Sequence, residues 1–204
     1  MARVYRLGKR GIAAAETRQR IMDAARELLF TEELRELSLH EVAADAGVTR
    51  STIYQQFGSK GELLLAVVND ALDRANVQRV RKVLQDPDAT AALRGLMRES
   101  TRFWAGEYAL FSGIKRLAQV DEAIAHVNET KEGVRQGHIT NLIGRLVQQG
   151  RLRPELSEER AAAMLNLLLS YETYDQLRTH YRLPLNKIIA TLTEMAERAL
   201  LPDA

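Results

Sequence analysis

Apolar residues recur at helical spacing along most of this chain. The first clear stripe follows Glu16 and consists of Ile21, Ala24, Ala25, Leu28 and Leu29. Residues three or four apart share one face of an α-helix, so this stripe predicts an amphipathic helix. No segment alternates apolar and polar side chains as a half-buried strand would. The pattern therefore predicts an all-α fold with about nine helices.

The ends of three successive helices are marked by local signals. The sequences S-L-H-E at residues 38–41 and S-K-G-E at residues 59–62 are capping boxes, in which the serine accepts a backbone hydrogen bond from three residues on. Thr49 can cap the helix between them. Gly47 and Gly58 suit the left-handed conformation in which helices often end. These signals predict two short helices and the start of a longer one.

Residues 39–58 have the layout of a helix-turn-helix motif. The second helix hides Ile53 and Phe57 and leaves a polar outer face, as a helix that enters the DNA major groove requires. On that face Arg50 can bind guanine and Gln55 can bind adenine. The motif therefore predicts DNA binding.

Basic side chains near this motif suit the phosphate backbone. Residues 1–20 carry six basic side chains and one acidic one, and residues 46–61 carry two basic side chains and no acidic one. Lys60 lies at a helix start, where backbone amides favour anions, and the hydroxyl of Tyr54 suits a phosphate oxygen. The alternative is a basic tail without defined contacts beside an ordinary solvated helix.

The same region resembles the TetR family of bacterial repressors. The resemblance covers residues 16–68 almost without a gap. It is carried by T-R-Q-R-I at 17–21, A-A at 24–25, L-L-F at 28–30, S-L at 38–39, V-A at 42–43, A-G-V at 46–48, T-I-Y at 52–54 and F-G-S-K-G-E-L-L at 57–64. The resemblance implies a three-helix DNA-binding unit, a helical C-terminal domain, a homodimer, double-stranded operator DNA and a small-molecule inducer.

At the matching positions, the resemblance implies DNA contacts by one set of polar residues. They are Ser38, Thr49, Arg50, Ser51, Thr52, Tyr54, Gln55, Gln56 and Lys60. Gln56 stands where the family often has histidine or tyrosine, and Ser51 stands where glycine or alanine is common. The expected domains are a basic arm at residues 1–15, a DNA-binding domain at 16–76 and a ligand-binding and dimerisation domain at 77–204.

Aromatic residues are grouped in the C-terminal part, where the resemblance implies a ligand cavity. Four of them lie within nine residues and two more lie on an apolar helix. Three polar residues at near-helical spacing are candidate anchors. The expected pocket comprises Phe103, Trp104, Tyr108, Phe111, Asn128, Arg135, His138, Tyr171 and Tyr174. The alternatives are that the aromatics fill a core and that the polar residues face solvent.

Two acidic residues, Glu172 and Asp175, follow an apolar run, where an unpaired buried charge would be costly. They can pair with arginines, lie at the surface or bind a cationic inducer.

Two C-terminal segments are candidates for a dimer interface. Residues 158–180 are apolar almost all round at Ala161 to Leu169, and residues 185–200 carry one clean apolar stripe. Two such helices per protomer would form a four-helix interface. The expected interface residues are Met164, Leu168, Ile188, Leu192, Met195 and Ala199. The alternative is that both helices bury these faces within a monomer.

The residue types present argue against several other functions. The chain of 204 residues has no cysteine, which excludes disulfides and thiolate metal sites. It contains no H-E-x-x-H, glycine-rich phosphate loop or G-x-S-x-G motif, so no enzyme, cofactor or metal site is expected, and an all-helical enzyme is a remote alternative. No run of about 18 apolar residues occurs and the opening residues lack a secretory signal, so a cytoplasmic location is expected.

Taken with the resemblance, these features predict a DNA-binding transcriptional regulator. The expected mechanism is repression at a palindromic operator, relieved when an inducer binds the C-terminal domain. A regulator that answers to a protein partner, or to no ligand, is the alternative.

Overall fold

The computed structural model describes residues 2–31, 36–74, 78–119 and 122–202. Within these ranges the chain is all-α, as predicted, with eleven α-helices, one five-residue π-helical segment and no strand. No helix among them is both long and apolar enough to cross a membrane. The helices are α1 (Ala2–Leu29), α2 (Leu39–Asp45), α3 (Arg50–Phe57), α4 (Lys60–Arg74), α5 (Gln78–Leu84), α6 (Ala89–Gly106), α7 (Tyr108–Ala118), α8 (Glu122–Gln148), α9 (Glu158–Leu168), α10 (Tyr171–Asp175) and α11 (Leu185–Leu200), with the π-segment at Gln176–His180.

The chain divides into two compact units. The N-terminal unit comprises Met1–Leu72 and Ala109–Glu129, and the C-terminal unit comprises Asp73–Tyr108 and Thr130–Ala204. The N-terminal unit therefore includes a segment that the sequence assigns to the C-terminal domain. Because a compact unit is defined by contacts and not by function, the functional domain limits stay predictions.

The first helix is longer than its apolar stripe indicates. It begins at Ala2, although the stripe predicts a helix only from Glu16. Ile21, Ala25 and Leu29 are fully buried, so the predicted inner face is confirmed. The apolar pattern does not predict the earlier start, because the residues before Glu16 carry no apolar periodicity.

The predicted helix ends around the helix-turn-helix are confirmed. The hydroxyls of Ser38, Thr49 and Ser59 each accept a hydrogen bond from the backbone amide three residues on, at 3.4, 3.2 and 3.1 Å. Such caps stabilise a helix start by roughly 1 kcal/mol each. Gly47 and Gly58 adopt φ angles of 64° and 82°, which other residues rarely tolerate. Local chemistry thus fixes the limits of α2 and α3.

The C-terminal unit is built around apolar faces of α6, α8, α9 and α11. Leu93, Leu146, Leu165 and Leu192, one from each helix, belong to a single buried core. Burial of this apolar surface supplies most of the free energy that holds such helices together.

The turn between α5 and α6 is fastened by the end of α8. Arg145 donates hydrogen bonds to the carbonyl oxygens of Leu84 and Asp86. The side chain of Gln149 donates to the Pro87 carbonyl at 2.7 Å and accepts from the Ala89 amide at 3.0 Å. These bonds satisfy backbone groups that two helix ends leave open.

The segment predicted as one helix over residues 158–180 is three elements. Its α9 ends at Leu168, and Ser170 caps α10 by accepting from the Thr173 amide at 3.2 Å. The π-segment then follows α10 directly. The described residues form eleven α-helices where the pattern predicts about nine, partly because a serine cap inside an apolar run interrupts the helix without a glycine or proline to mark it.

Candidate functional site

The outer surface of α3 presents the polar residues that the sequence assigns to DNA. Arg50, Ser51 and Gln55 are exposed, and Tyr54 keeps 46% of its surface accessible. On the opposite side Ile53 and Phe57 are buried at 1% and 7% exposure. The helix therefore has the two faces that a recognition helix requires: an apolar face toward its own unit and donors on the outside.

Four further residues of the expected set lie at helix starts, and all but Thr49 are half-buried. The Thr49 hydroxyl caps α3 and lies 2.9 Å from the hydroxyl of Thr52, which is half-buried. Ser38 is half-buried and caps α2. Lys60, the first residue of α4, is half-buried at a helix start, where the amides and dipole favour anions.

Gln56 is held by an arginine that the sequence analysis did not single out. Its backbone oxygen accepts a hydrogen bond of 2.7 Å from Nη1 of Arg18 on α1. The Arg18 guanidinium also lies 4.0 Å from the ring centre of Phe57. Arg18 is part of the T-R-Q-R-I motif, so the family resemblance was the signal available in the sequence.

The structure brings five of the predicted aromatics together in the C-terminal unit. Tyr171 lies edge-on to Trp104 with ring centres 5.7 Å apart, and it stacks on Tyr108 at 5.9 Å. Tyr108 also meets Tyr174 at 6.2 Å, and Phe103 meets Trp104 at 4.8 Å. We call these five residues the aromatic cluster. Distances of this size are typical of favourable aromatic pairs.

Polar contacts hold the aromatic cluster to α10 and its flanks. The indole Nε1 of Trp104 donates to the Leu169 carbonyl at 2.9 Å, and the Tyr108 hydroxyl donates to Asp175 at 2.6 Å. The guanidinium of Arg178 lies 3.7 Å from the centre of the Tyr108 ring. Burial and the bond to Asp175 raise the pKa of Tyr108 above its ordinary value, because both favour the neutral phenol.

The remaining pocket candidates have separate surroundings. Arg135 donates to the side-chain oxygen of Asn166 at 2.9 Å. Burial, followed by the nearby charge of Arg81, lowers the pKa of His138. Phe111 is buried and belongs to the N-terminal unit.

Two of the sequence predictions fall on side chains outside the described part of the chain. They are the pocket candidate Asn128 and the basic residues of the predicted arm, Arg3, Arg6, Lys9 and Arg10.

Half of the expected interface residues lie inside the chain's own core. Leu168, Ile188 and Leu192 are 8%, 1% and 2% exposed in the single chain, so they offer little surface to a partner. Met164 and Ala199 are half-buried. Met195 remains 49% exposed.

Exposed apolar side chains lie elsewhere on the same two helices and the segment between them. Leu167 on α9 is 67% exposed, Tyr181 after the π-segment is 59% exposed and Leu185 on α11 is 39% exposed. The sequence does not reveal the exposure of Leu167, because α9 is apolar on nearly all sides and periodicity then cannot distinguish its inner and outer faces. Within the described residues, no group of three or more histidine, aspartate or glutamate side chains is arranged to hold a metal ion.

Comparisons with known proteins agree with the helix-turn-helix geometry. The sequence model described as bacterial regulatory proteins, tetR family, matches residues 21–67. The regulators SrpR and TtgW, both of Pseudomonas putida, are each 43% identical over 60 residues, or 29% of this chain. These matches span only 28% and 45% of the two relatives' lengths.

One longer match extends well beyond the helix-turn-helix. A regulator in the dhlA 5′ region of Xanthobacter autotrophicus is 30% identical over 156 residues, which is 75% of this chain and 74% of that protein. It is described as an HTH-type transcriptional regulator.

Solved structures share the fold. NalD, the secondary repressor of the MexAB-OprM multidrug efflux pump in Pseudomonas aeruginosa, has a TM-score of 0.70 at 22% identity, covering 94% of this chain and 98% of its own. FadR of Bacillus subtilis, solved with stearoyl-CoA, has a TM-score of 0.72 at 19% identity, covering 89% and 98%. The family model, the long relative and the fold agree, and the chain therefore belongs to the TetR family of bacterial regulatory proteins, which are helix-turn-helix transcriptional regulators.

Proposed function

We propose that this chain is a repressor that binds a palindromic operator as a homodimer and leaves it when a small molecule binds the C-terminal unit. The observation that carries the proposal is α3, whose polar residues face outward from a buried apolar side. An exposed helix of this kind, capped by Thr49 at its start, suits the major groove.

The DNA contacts divide into those that read bases and those that hold phosphate. Arg50 and Gln55 have the donor geometry for guanine and adenine edges, whereas Tyr54 and Lys60 suit phosphate oxygens. Base contacts change sequence preference when removed. Phosphate contacts change the affinity for all sequences and the dependence on salt.

The test begins with a duplex that the wild-type protein selects from a random pool. Arg50→Ala and Gln55→Ala should each weaken binding to that duplex by about 1–3 kcal/mol and relax the preference at one position. Lys60→Ala should weaken binding to selected and scrambled duplexes alike and reduce the salt dependence. Arg151→Ala, which removes one exposed charge from the C-terminal unit, is the control and should change neither. Wild-type binding that is indifferent to sequence and to salt would contradict the proposal.

Homodimerisation is supported by the exposed apolar surface of α9 and α11. Leu167 and Met195 are each about half or more exposed in the single chain, and Leu185 contributes further apolar surface. An exposed patch of large apolar side chains favours association with another protein surface. A second copy of this chain suits the patch, because a two-fold interface uses the same patch on both subunits. A dimer would also present two copies of α3 to the two halves of a palindrome.

Ligand control is supported by the aromatic cluster. A cavity lined with aromatic side chains and a few polar groups is typical of sites for largely apolar small molecules. FadR of Bacillus subtilis was solved with stearoyl-CoA, and NalD is named as a repressor of a multidrug efflux pump. We infer for this chain an inducer that is largely apolar.

The ligand experiment uses Trp104, the only tryptophan of the chain, as its probe. Palmitoyl-CoA and a panel of hydrophobic aromatic compounds are titrated with and without the selected duplex, while the indole emission is followed. A compound that releases DNA must bind more weakly when the duplex is present, by the same factor by which it weakens DNA binding. Tyr108→Ala should change the affinity for the compound while leaving ligand-free DNA binding nearly intact.

One observation favours control by a protein partner, or no ligand control, as the second candidate. The rings of the aromatic cluster already pack against one another, and the polar groups of Trp104 and Tyr108 already have partners. A cluster of this kind serves equally well as a core. A panel in which no compound changes either the Trp104 emission or the affinity for the selected duplex would favour this second candidate.

A further inference from the structure

The C-terminal end of α3 is joined to α1 by a single side chain. The last carbonyl groups of any α-helix have no partner within the helix. At this end Gly58 turns the chain with a φ angle of 82° after donating to the Tyr54 carbonyl at 2.8 Å. The Gln56 carbonyl instead accepts from Nη1 of Arg18 at 2.7 Å. A cation at this position also interacts favourably with the helix dipole.

The same guanidinium contacts the inner face of α3. It lies 4.0 Å from the ring centre of Phe57, which is 7% exposed. One planar group therefore fixes the backbone and an inward side chain of the last turn together. Arginine can donate a hydrogen bond in its plane and stack through its face, and no other side chain offers both with a permanent charge.

We infer that Arg18 is a positioning residue for DNA recognition, acting through α3. The turn that it holds includes Tyr54 and Gln55, two of the residues proposed to contact DNA, so this inference rests on the proposed function. A hydrogen-bonded base contact depends on the direction as well as the distance of its donor. Fixing the end of α3 against α1 sets the angle at which those side chains leave the protein.

The experiment compares Arg18→Met and Arg18→Lys with the control Arg116→Met. Met keeps an unbranched apolar chain but cannot donate, whereas Lys keeps a charge and a donor. Arg116 lies in the same compact unit and donates to Ser112 and to the Thr31 carbonyl at 3.0 Å each, with no contact to α3 among these bonds. It therefore reports the cost of losing a structural arginine in general.

The probes are a duplex selected by the wild-type protein from a random pool and a scrambled duplex of the same length. Binding is measured well below the melting temperature, with circular dichroism to establish the folded fraction. Arg18→Met should weaken binding to the selected duplex about tenfold and change the scrambled duplex by less than about twofold. Arg18→Lys should recover only part of the loss, since Lys keeps a donor and a charge but has no planar face to stack on Phe57. Arg116→Met should lower the melting temperature and leave the ratio of the two affinities unchanged.

Three results would overturn the inference. A wild-type affinity ratio in folded Arg18→Met would show that the bond to Gln56 does not serve recognition. Equal losses on both duplexes would make Arg18 a phosphate contact, and an equal loss of the ratio in Arg116→Met would make it one structural arginine among others. If Arg18→Met does not fold, Arg18→Leu replaces it, since Leu also keeps apolar bulk without a donor, and a wild-type ratio there overturns the inference equally. A wild-type protein that selects no sequence contradicts the proposed function itself.

Discussion

The hydroxyl of Tyr108 donates a hydrogen bond of 2.6 Å to the carboxylate of Asp175, 67 residues further along the chain. Tyr108 stacks on Tyr171 at the same time, and Arg178 covers its ring. Hydrogen bonds to a charged group are stronger than neutral ones. The pair therefore fastens the end of α6 and the start of α7 to α10 within the aromatic cluster.

Removing the Tyr108 hydroxyl should cost stability. Tyr108→Phe keeps the ring contacts but deprives Asp175 of its donor, so we expect the free energy of unfolding to fall by about 1–2 kcal/mol. Urea denaturation followed by Trp104 fluorescence measures it. Tyr181→Phe is the matched control, because Tyr181 is 59% exposed, and it should be nearly neutral. Equal losses in the two variants would contradict the role of the bond.

The same tyrosine should make the protein sensitive to alkaline pH. Burial and the bond to Asp175 raise the pKa of Tyr108 above its ordinary value of 10.0. The folded chain therefore keeps a proton that the unfolded chain releases near pH 10, so this stabilisation is complete below pH 10 and is lost as pH rises toward the folded pKa. Between pH 9 and 11, the unfolding free energy of Tyr108→Phe should fall less steeply than that of the wild type. Parallel curves would refute this. The pKa of Tyr174 is also raised, so some slope should remain.

His138 should make the stability of the protein depend on pH in the acidic range. Burial first, and then the charge of Arg81, lower its pKa from the ordinary 6.5. The unfolded chain then binds a proton before the folded one does, so the stabilisation is present above about pH 6.5 and is lost as pH falls toward the folded pKa. His138→Gln removes this titration. Its unfolding free energy between pH 7 and 5 should fall less steeply than that of the wild type, and a steeper fall would show that the sign is wrong.

The parts of this fold that the sequence predicts are those that neighbouring residues determine. Ser38, Thr49 and Ser59 cap helices by bonding amides only three residues away, and Gly47 and Gly58 answer a local backbone requirement. Each of these signals lies within a few consecutive residues, so it can be recognised in the sequence without knowledge of the tertiary structure.

The parts that the sequence does not predict depend on long-range contacts. Tyr108 is hydrogen-bonded to Asp175, and Arg18 is hydrogen-bonded to the backbone of Gln56, 38 residues away. No local sequence pattern predicts either bond. Leu167 and Leu168 are neighbours of similar chemistry, yet one is 67% and the other 8% exposed. On a helix that is apolar all round, only the packing of α9 against the other helices decides which of the two faces outward.

A close approach of two helices should make Gly113 intolerant of any side chain. An added Cβ there would lie 2.1 Å from the carbonyl oxygen of Leu29, the last residue of α1. Gly113→Ala must separate α1 and α7, and we expect it to lower the unfolding free energy by about 1–3 kcal/mol. Gly137→Ala is the control, since a Cβ there meets nothing within 4 Å in an exposed helical position and should stabilise by about 0.5–1 kcal/mol. Thermal unfolding that does not separate the two variants would show that α1 and α7 adjust freely.

The proposed homodimer should depend on side chains that the single chain leaves exposed. Leu167 is 67% exposed, so a charge there costs the monomer little, but it would be buried without a partner in an apolar interface. We expect Leu167→Glu to convert the dimer to a monomer at about 10 µM without a large change in helical content. Val147→Glu is the matched control, because Val147 is also an exposed apolar residue of the C-terminal unit, at 40%, on α8. Multi-angle light scattering gives the mass of each variant.

The affinity for the selected duplex shows what the loss of the dimer does to DNA binding. A monomeric Leu167→Glu should lose most of its affinity, since one α3 then meets one half-site alone. A dimeric Leu167→Glu would move the interface away from α9, and a monomeric wild type with tight operator binding would contradict the dimer altogether.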